Sequence, residues 1–197
     1  MAGQEKGKRE MILEAAIKVF VEKGFKDAKI EEIAQEANVG KGTVYEYFAS
    51  KKELFMDMIK YTVEHYMERI KAQVLVAANS KEQLRLVALG HINYSNEYRQ
   101  MYRVFIQDHS WIGQEFSLWM LKIWQKKVDG VEKILQAGIN KGEFGEMDTR
   151  LTATMILGML DGVCTPIIFT DVLIDPGETA EKILGLLLDG ISGGAKS

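Results

Sequence analysis

The chain is poor in the residues that staple or break structure. It has 1 cysteine in 197 residues, which excludes an intrachain disulfide framework and a cysteine-based zinc site. That scarcity fits a reducing cytoplasm. It has 2 prolines, against a usual share of about 5%. Strand-and-turn architectures need more breakers than that, so the count points to helices. Its 3 histidines are scattered and no glycine-rich phosphate loop is present. No catalytic constellation forms, and an enzyme is not expected. The longest apolar stretch, Met155 to Ile174, is broken by Asp161, Pro166 and Asp171, whereas a membrane span needs roughly 20 mostly apolar residues. No apolar run follows Met1-Ala2-Gly3-Gln4-Glu5-Lys6, so no signal peptide is expected. The reading is a cytoplasmic protein with no membrane partner, no cofactor and no metal ion.

An excess of positive charge is also missing. The chain carries 25 Lys and Arg against 28 Asp and Glu, a net charge of -3. A protein coated in positive charge, as a generic nucleic-acid binder often is, is therefore excluded. A local basic patch is not. Residues 1–60 carry 11 basic and 11 acidic side chains, and residues 61–197 carry 14 and 17. Within the neutral part, Lys41, Lys51 and Lys52 stand against Glu46 alone between Val39 and Lys52. The acidic balance belongs to the rest of the chain.

What is present is helical periodicity. Apolar residues make up 47% of the chain, enough for a sizeable core. Ile12, Ala15, Ala16, Val19 and Phe20 recur at helical spacing over about residues 5–23, and Gly24 stands where a helix end commonly needs a left-handed residue. A short helix follows over about 30–37, with Ile30, Ile33, Ala34 and Ala37 on one face. Asn38 tolerates the left-handed turn after it, Val39 plugs the core, and Gly40 caps the next helix, about 41–48. Two short helices joined by a tight turn after a longer packing helix make a helix-turn-helix pattern. Ser50-Lys51-Lys52-Glu53 then opens a long helix with a capping box. It runs to about residue 78, a rod of about 40 Å at 1.5 Å per residue. Further helices are expected over about 80–96 (capped by Ser80), 97–107, 113–141, 148–169 and 176–191. The fold class is all-α. A three-helix helix-turn-helix domain is expected over 1–54, and a helical bundle for ligand binding and dimerisation over 55–197.

Residues 12–54 resemble the DNA-binding region of TetR-family transcriptional regulators. Three pieces carry the likeness. They are Ile12-Leu13-Glu14-Ala15-Ala16 with Val19-Phe20 and Gly24-Phe25, then Ile30-Glu31-Glu32-Ile33-Ala34 with Ala37-Asn38-Val39-Gly40, then Lys41-Gly42-Thr43-Val44-Tyr45-Glu46-Tyr47-Phe48 with Ser50-Lys51-Lys52-Glu53-Leu54. Asn38 and Gly40 stand where the family often has Gly and Ser. Lys29 stands where it often has a Thr that caps the second helix and touches phosphate. The resemblance implies a homodimeric regulator, usually a repressor, that binds a palindromic operator and diverges in its effector-binding part.

A helix of this length fits the major groove. Val44 and Phe48, four residues apart, hold it inward. Lys41, Thr43 and Tyr45 then point outward, and Gly42 lets the backbone come close. Tyr47 and Lys51 suit phosphate contacts. Phosphate contacts fix register and base contacts specify sequence, and the resemblance makes Thr43 and Tyr45 the best candidates for the DNA-facing surface. With Lys29, these are the expected DNA contacts. One short helix reads few base pairs, so two heads on paired half-sites are expected. Ile183, Leu184, Leu187, Leu188 and Ile191 make the last helix too apolar to be left solvated. Gly158 and Gly162 allow close helix approach. These seven are the expected dimer surface; the alternative is that the face packs within one subunit.

For the effector, Trp111, Trp119, Phe105, Phe116, Met101, Met120, Met155 and Met159 supply the aromatic and flexible lining that suits a small hydrophobic ligand. His91, Tyr94, His109 and Asp161 offer polar anchors, and Trp124 lies nearby. Core packing is the alternative role for each aromatic residue and methionine, and an ordinary hydrogen-bonded or surface role for each histidine. The competing function is a helical DNA-binding dimer controlled by a protein partner. An enclosed apolar cavity in the second domain would favour the small-molecule reading, and a filled core the other.

Overall fold

The computed structural model describes residues 7–107, 113–170 and 172–189. Nine helices and no strand occur among the described residues. They are α1 (Lys8–Asp27), α2 (Ile30–Glu36), α3 (Lys41–Tyr47), α4 (Lys51–Leu75), α5 (Ser80–Glu97), α6 (Arg99–Gln107), α7 (Gln114–Asn140), α8 (Thr149–Phe169) and α9 (Pro176–Asp189). The chain divides into two compact units. One comprises Met1–His65 with Gln100–Trp111, the other Tyr66–Arg99 with Ile112–Ser197.

In the first unit the apolar face of α1 meets α2, and α2 meets α3. Ile12, Leu13, Phe20, Ile33, Val44, Phe48, Leu54 and Phe55 are buried to 1% exposure or less. The Phe20 and Phe55 rings cross edge to face at 5.0 Å and Phe25 closes on Phe55 at 5.1 Å, a favoured aromatic geometry. α1 breaks its helical course at Gly24, whose φ of 74° suits a residue without Cβ. Asn38 takes φ 53° in the turn between α2 and α3, as its position predicts. Val39 is half-buried. At the start of α4 the Glu53 N–H donates to Ser50 Oγ (3.1 Å) and Glu53 Oε2 accepts from the Ala49 N–H (2.9 Å). That is a capping box shifted by one residue on its returning side.

In the second unit α5 is central, packed against α7, α8 and α9, and α7 packs along α8. Ile92, Ala153, Leu160, Ile167 and Ala180 are fully buried there. A Cβ on Gly90 would stand 1.8 Å from Ile70 Cδ1; its absence lets α5 lie close to the end of α4. The cap of α5 is Asn79, not Ser80: Asn79 Oδ1 accepts from the Glu82 N–H at 2.8 Å. Ser80 is fully buried, and its N–H donates to Glu143 Oε2 at 2.7 Å. Ser80 is already the first helical residue, so the residue before it does the capping.

Candidate nucleic-acid interface and effector region

Val44 and Phe48 are 0% and 1% exposed. Their i, i+4 spacing puts both on the inner face of α3, so the residues between them turn outward. Tyr45 and Tyr47 are 46% and 42% exposed, a large exposed area for aromatic rings. Thr43 is half-exposed, and Lys41 and Gly42 are exposed. Nothing lies within 4 Å of where a Gly42 Cβ would stand. The Lys41 ammonium donates to Glu31 Oε1 at 2.6 Å and lies 5.8 Å from the centre of the Tyr45 ring. The hydrogen bond between them raises the Lys41 pKa and lowers that of Glu31. An ion pair this exposed is worth little in water, so a phosphate can take the place of Glu31 at small cost. Lys29 is exposed, and its backbone N–H donates to Glu32 Oε2 at 3.1 Å. An ammonium cannot accept a hydrogen bond, so the Lys29 side chain does not cap α2 as a Thr would.

Lys51 departs from expectation. Its ammonium donates to the backbone oxygens of Ala28 (2.9 Å) and Lys26 (3.1 Å) and stands 4.7 Å over the Phe25 ring. It ties the start of α4 to the corner between α1 and α2, and is committed there without any phosphate. Arg9, which the sequence sets in an N-terminal basic cluster with Lys6 and Lys8 near the reading segment, takes a structural place instead. Its guanidinium pairs with Asp57 at 2.6 Å and lies 5.3 Å from the Phe48 ring, fastening α1 to the last residue of the reading segment. Lys51→Met is expected to lower stability by about 1–3 kcal/mol, because two carbonyls lose a charged donor. It should leave the salt dependence of DNA binding unchanged. Urea unfolding and binding at two salt concentrations check this; unchanged stability with a shallower salt slope would return Lys51 to the phosphates.

In the second unit the expected dimer residues divide. Ile183 and Leu184 are 7% and 3% exposed and belong to the core of their own unit, so they are corrected from surface to interior. An apolar helix packed on α5 spends its inner face on that contact. Leu187 is half-buried against the same core. Leu188 is exposed, as is its neighbour Leu186. Gly158 and Gly162 are exposed with open space beside them. Leu151, Met155, Gly158, Gly162 and Phe169 fall on one face of α8 at spacings of three, four and seven, and Leu151, Met155 and Phe169 are each more than half exposed.

The expected effector residues are scattered. Met101 is buried in the first unit, its sulfur 4.0 Å from the Thr62 hydroxyl. Phe116 is buried and stacks on half-buried Trp119 at 5.3 Å. Met120 and Met155 are exposed, at 42% and 56%, so neither is positioned to wall an enclosed pocket. Met159 packs half-buried against the core, as does Trp124. Trp111, His109, Ile191 and the Phe105 side chain lie outside the described residues. A cleft of about 620 Å³ does occur in this unit, lined by Arg69, Ile70, Gln73, Leu89, Asn93 and Asn96 among others. It is open and mixed in polarity, and none of the described expected residues lines it.

Three of the four expected anchors do come together. His91 Nε2 lies 3.1 Å from Asp161 Oδ1, and the Tyr94 ring sits 4.7 Å from that of Tyr66. Tyr66 and Lys127 join this cluster unforeseen. The Lys127 ammonium stands 5.6 Å over the Tyr66 ring. The sequence does hold a signal for Lys127: it precedes Val131 by four residues and Ile134 by seven, which puts a lysine on the buried face of α7.

A family model of bacterial regulatory proteins of the tetR family matches residues 12–58. A model of tetracyclin repressor-like C-terminal domains matches residues 77–165. Together they span more than two thirds of the chain. This chain belongs to the TetR family. It is thus a TetR-family transcriptional regulator rather than an enzyme, with an N-terminal helix-turn-helix DNA-binding part and a C-terminal helical part, as its motifs imply. The fatty acid metabolism regulator protein of Bacillus subtilis is 28% identical over 189 residues, covering 95% of this chain and 97% of that protein. Two solved structures are similar over most of this chain. The fatty acid degradation regulator FadR from Bacillus halodurans has a TM-score of 0.76 at 26% identity, over 96% of this chain and 99% of that one. FadR from Bacillus subtilis, solved in complex with stearoyl-CoA, has a TM-score of 0.74 at 28% identity, over 92% and 98%. Among the described residues, no helix of this TetR-family chain is long and apolar enough to cross a membrane.

Proposed function

We propose that this regulator is a homodimeric repressor that reads a palindromic operator with α3 and is released from it by an acyl effector. Residues 1–54 read DNA; residues 55–197 bind the effector and form the dimer. The observation that carries the reading is the outward face of α3, where Thr43, Tyr45 and Tyr47 stand out of a helix pinned by buried Val44 and Phe48. Thr43 and Tyr45 face base edges, and Lys41, Tyr47 and Lys29 face phosphates. The α8 stripe supplies the face for the second copy: glycines for close approach, flanked by exposed Leu151, Met155 and Phe169. The effector class is supported by the relative solved with stearoyl-CoA. Release is a population shift, in which effector and DNA favour different arrangements of the two heads and each weakens the other reciprocally. The open, mixed-polarity cleft favours a second reading, control by a protein partner.

Selection of bound duplexes from a random DNA pool tests the first part; a palindrome is the expected result. Titrating stearoyl-CoA against the selected site tests the second, and no loss of DNA binding would favour the protein-partner reading. On the selected site, Tyr45→Ala is expected to cost roughly 1–3 kcal/mol and to relax sequence preference at one position per half-site. Undiminished binding would remove Tyr45 from the base-reading role.

A further inference from the structure

In the second unit, two donors without a hydrogen-bond partner among the described residues stand side by side. Lys127 is half-buried on α7. Among the described residues no carboxylate oxygen lies within 4.0 Å of its ammonium, and it makes no hydrogen bond. Burial lowers its pKa and the nearby Asp161 charge only partly opposes that. The Asp161 carboxylate is engaged elsewhere, at 3.1 Å from His91. Tyr66 is 6% exposed, and its hydroxyl likewise has no hydrogen-bond partner among the described residues. Burial raises the Tyr66 pKa, with Tyr94 adding to the effect, so the group stays a neutral O–H donor. No described residue takes up the hydrogen-bonding capacity of either group. The Tyr66 ring face attracts the ammonium, but it leaves the ammonium's protons unused.

The two groups stand at one place, with the Lys127 Nζ 5.6 Å from the Tyr66 ring centre. Aromatic rings wall one side of them, and the Asp161 charge lies near both. The Tyr66, Tyr94 and Tyr98 rings follow one another at 4.7 Å, and Cys164 is buried nearby on α8. A pair of donors beside aromatic walls is complementary to an oxygen acceptor carried on an apolar chain. We propose that Lys127 and Tyr66 form the polar end of the effector site and hydrogen-bond the acyl carbonyl or carboxylate oxygen of the ligand. The assignment rests on the acyl-effector reading. A thioester and a free acid share this chemistry, and they differ in whether the acceptor is charged.

The test uses the full chain and two probes, stearoyl-CoA and stearate, titrated by calorimetry against the native protein, Lys127→Met and Tyr66→Phe. Lys127→Met keeps the length of the apolar stem, and Tyr66→Phe removes only the hydroxyl. The expected result is a loss of at least about tenfold for Lys127→Met, the size of a charge-assisted hydrogen bond, and a smaller loss for Tyr66→Phe. The ligand-free melting temperature should change little, because Lys127 makes no hydrogen bond or ion pair among the described residues. A larger loss for stearate assigns the corner to a carboxylate, and an equal loss assigns it to a thioester carbonyl. Native-like affinity in both variants overturns this inference and leaves the acyl reading standing. If Lys127→Met does not fold, native-like affinity in Tyr66→Phe suffices to overturn it. Failure of the native protein to bind either probe overturns the acyl reading itself.

Discussion

Phe48→Ala is expected to collapse the reading head, at a cost of about 3–5 kcal/mol. Phe48 is the residue on which α3 ends. Its N–H donates to the Val44 oxygen at 3.0 Å and its backbone is already extended (φ -139°, ψ 114°). The ring is 1% exposed, with the Arg9 guanidinium 5.3 Å from its centre. α3 is only 7 residues long, too short to persist in water without its buried face. Removing the ring leaves a cavity under the recognition segment and removes the ring contact of Arg9, which keeps its pairing with Asp57. Tyr47→Ala, one position earlier, is the control: that ring is 42% exposed, and its loss should change stability by less than about 0.5 kcal/mol. Urea unfolding of the full chain separates the two. A Phe48→Ala variant that unfolds with the native transition would mean that α3 is held by something other than its inner face.

Met155→Asp is expected to leave the chain folded and make it monomeric. Met155 is 56% exposed, so a carboxylate there meets water in a single subunit. In a dimer closed on the α8 stripe the same carboxylate would be buried between apolar faces without a partner, which is strongly unfavourable. Analytical ultracentrifugation reads the oligomeric state and circular dichroism the fold. Operator affinity should fall roughly 100-fold or more, because the second head loses the effective concentration that linkage to the first provides. A variant that still sediments as a dimer would move the interface away from Leu151, Met155 and Phe169.

The DNA-reading part was largely legible in the amino-acid order, and the reason is its locality. Val44 and Phe48 are four residues apart, Asn38 lies within the turn it makes possible, and Ser50 and Glu53 close one capping box. Each relation spans a few residues, where helical spacing and backbone preference decide the outcome. Lys51 was not legible, because its ammonium is claimed by carbonyls 23 and 25 residues away. Ser80 was misread as a cap because α5 already begins on it, which makes Asn79 the cap.

The effector part shows the limit more sharply. Periodicity marks α8 and α9 as apolar, and apolar residues surround both. Which face is spent inside the subunit depends on the partner helix, and α5 claims Ile183 and Leu184. Aromatic and methionine residues close in sequence do not thereby share a cavity: Met101 and Phe116 are interior, whereas Met120 and Met155 lie at the surface. The sequence by itself determined the helices, the helix-turn-helix and the placement of positive charge along the reading segment, since these follow from neighbours within a turn or two. Only the tertiary structure decided which lysine stays available, which leucines are spent within the core, and where Lys127 meets Tyr66. Those outcomes are set by packing between distant helices, and burial there determines whether a charge is screened, paired or left without a partner.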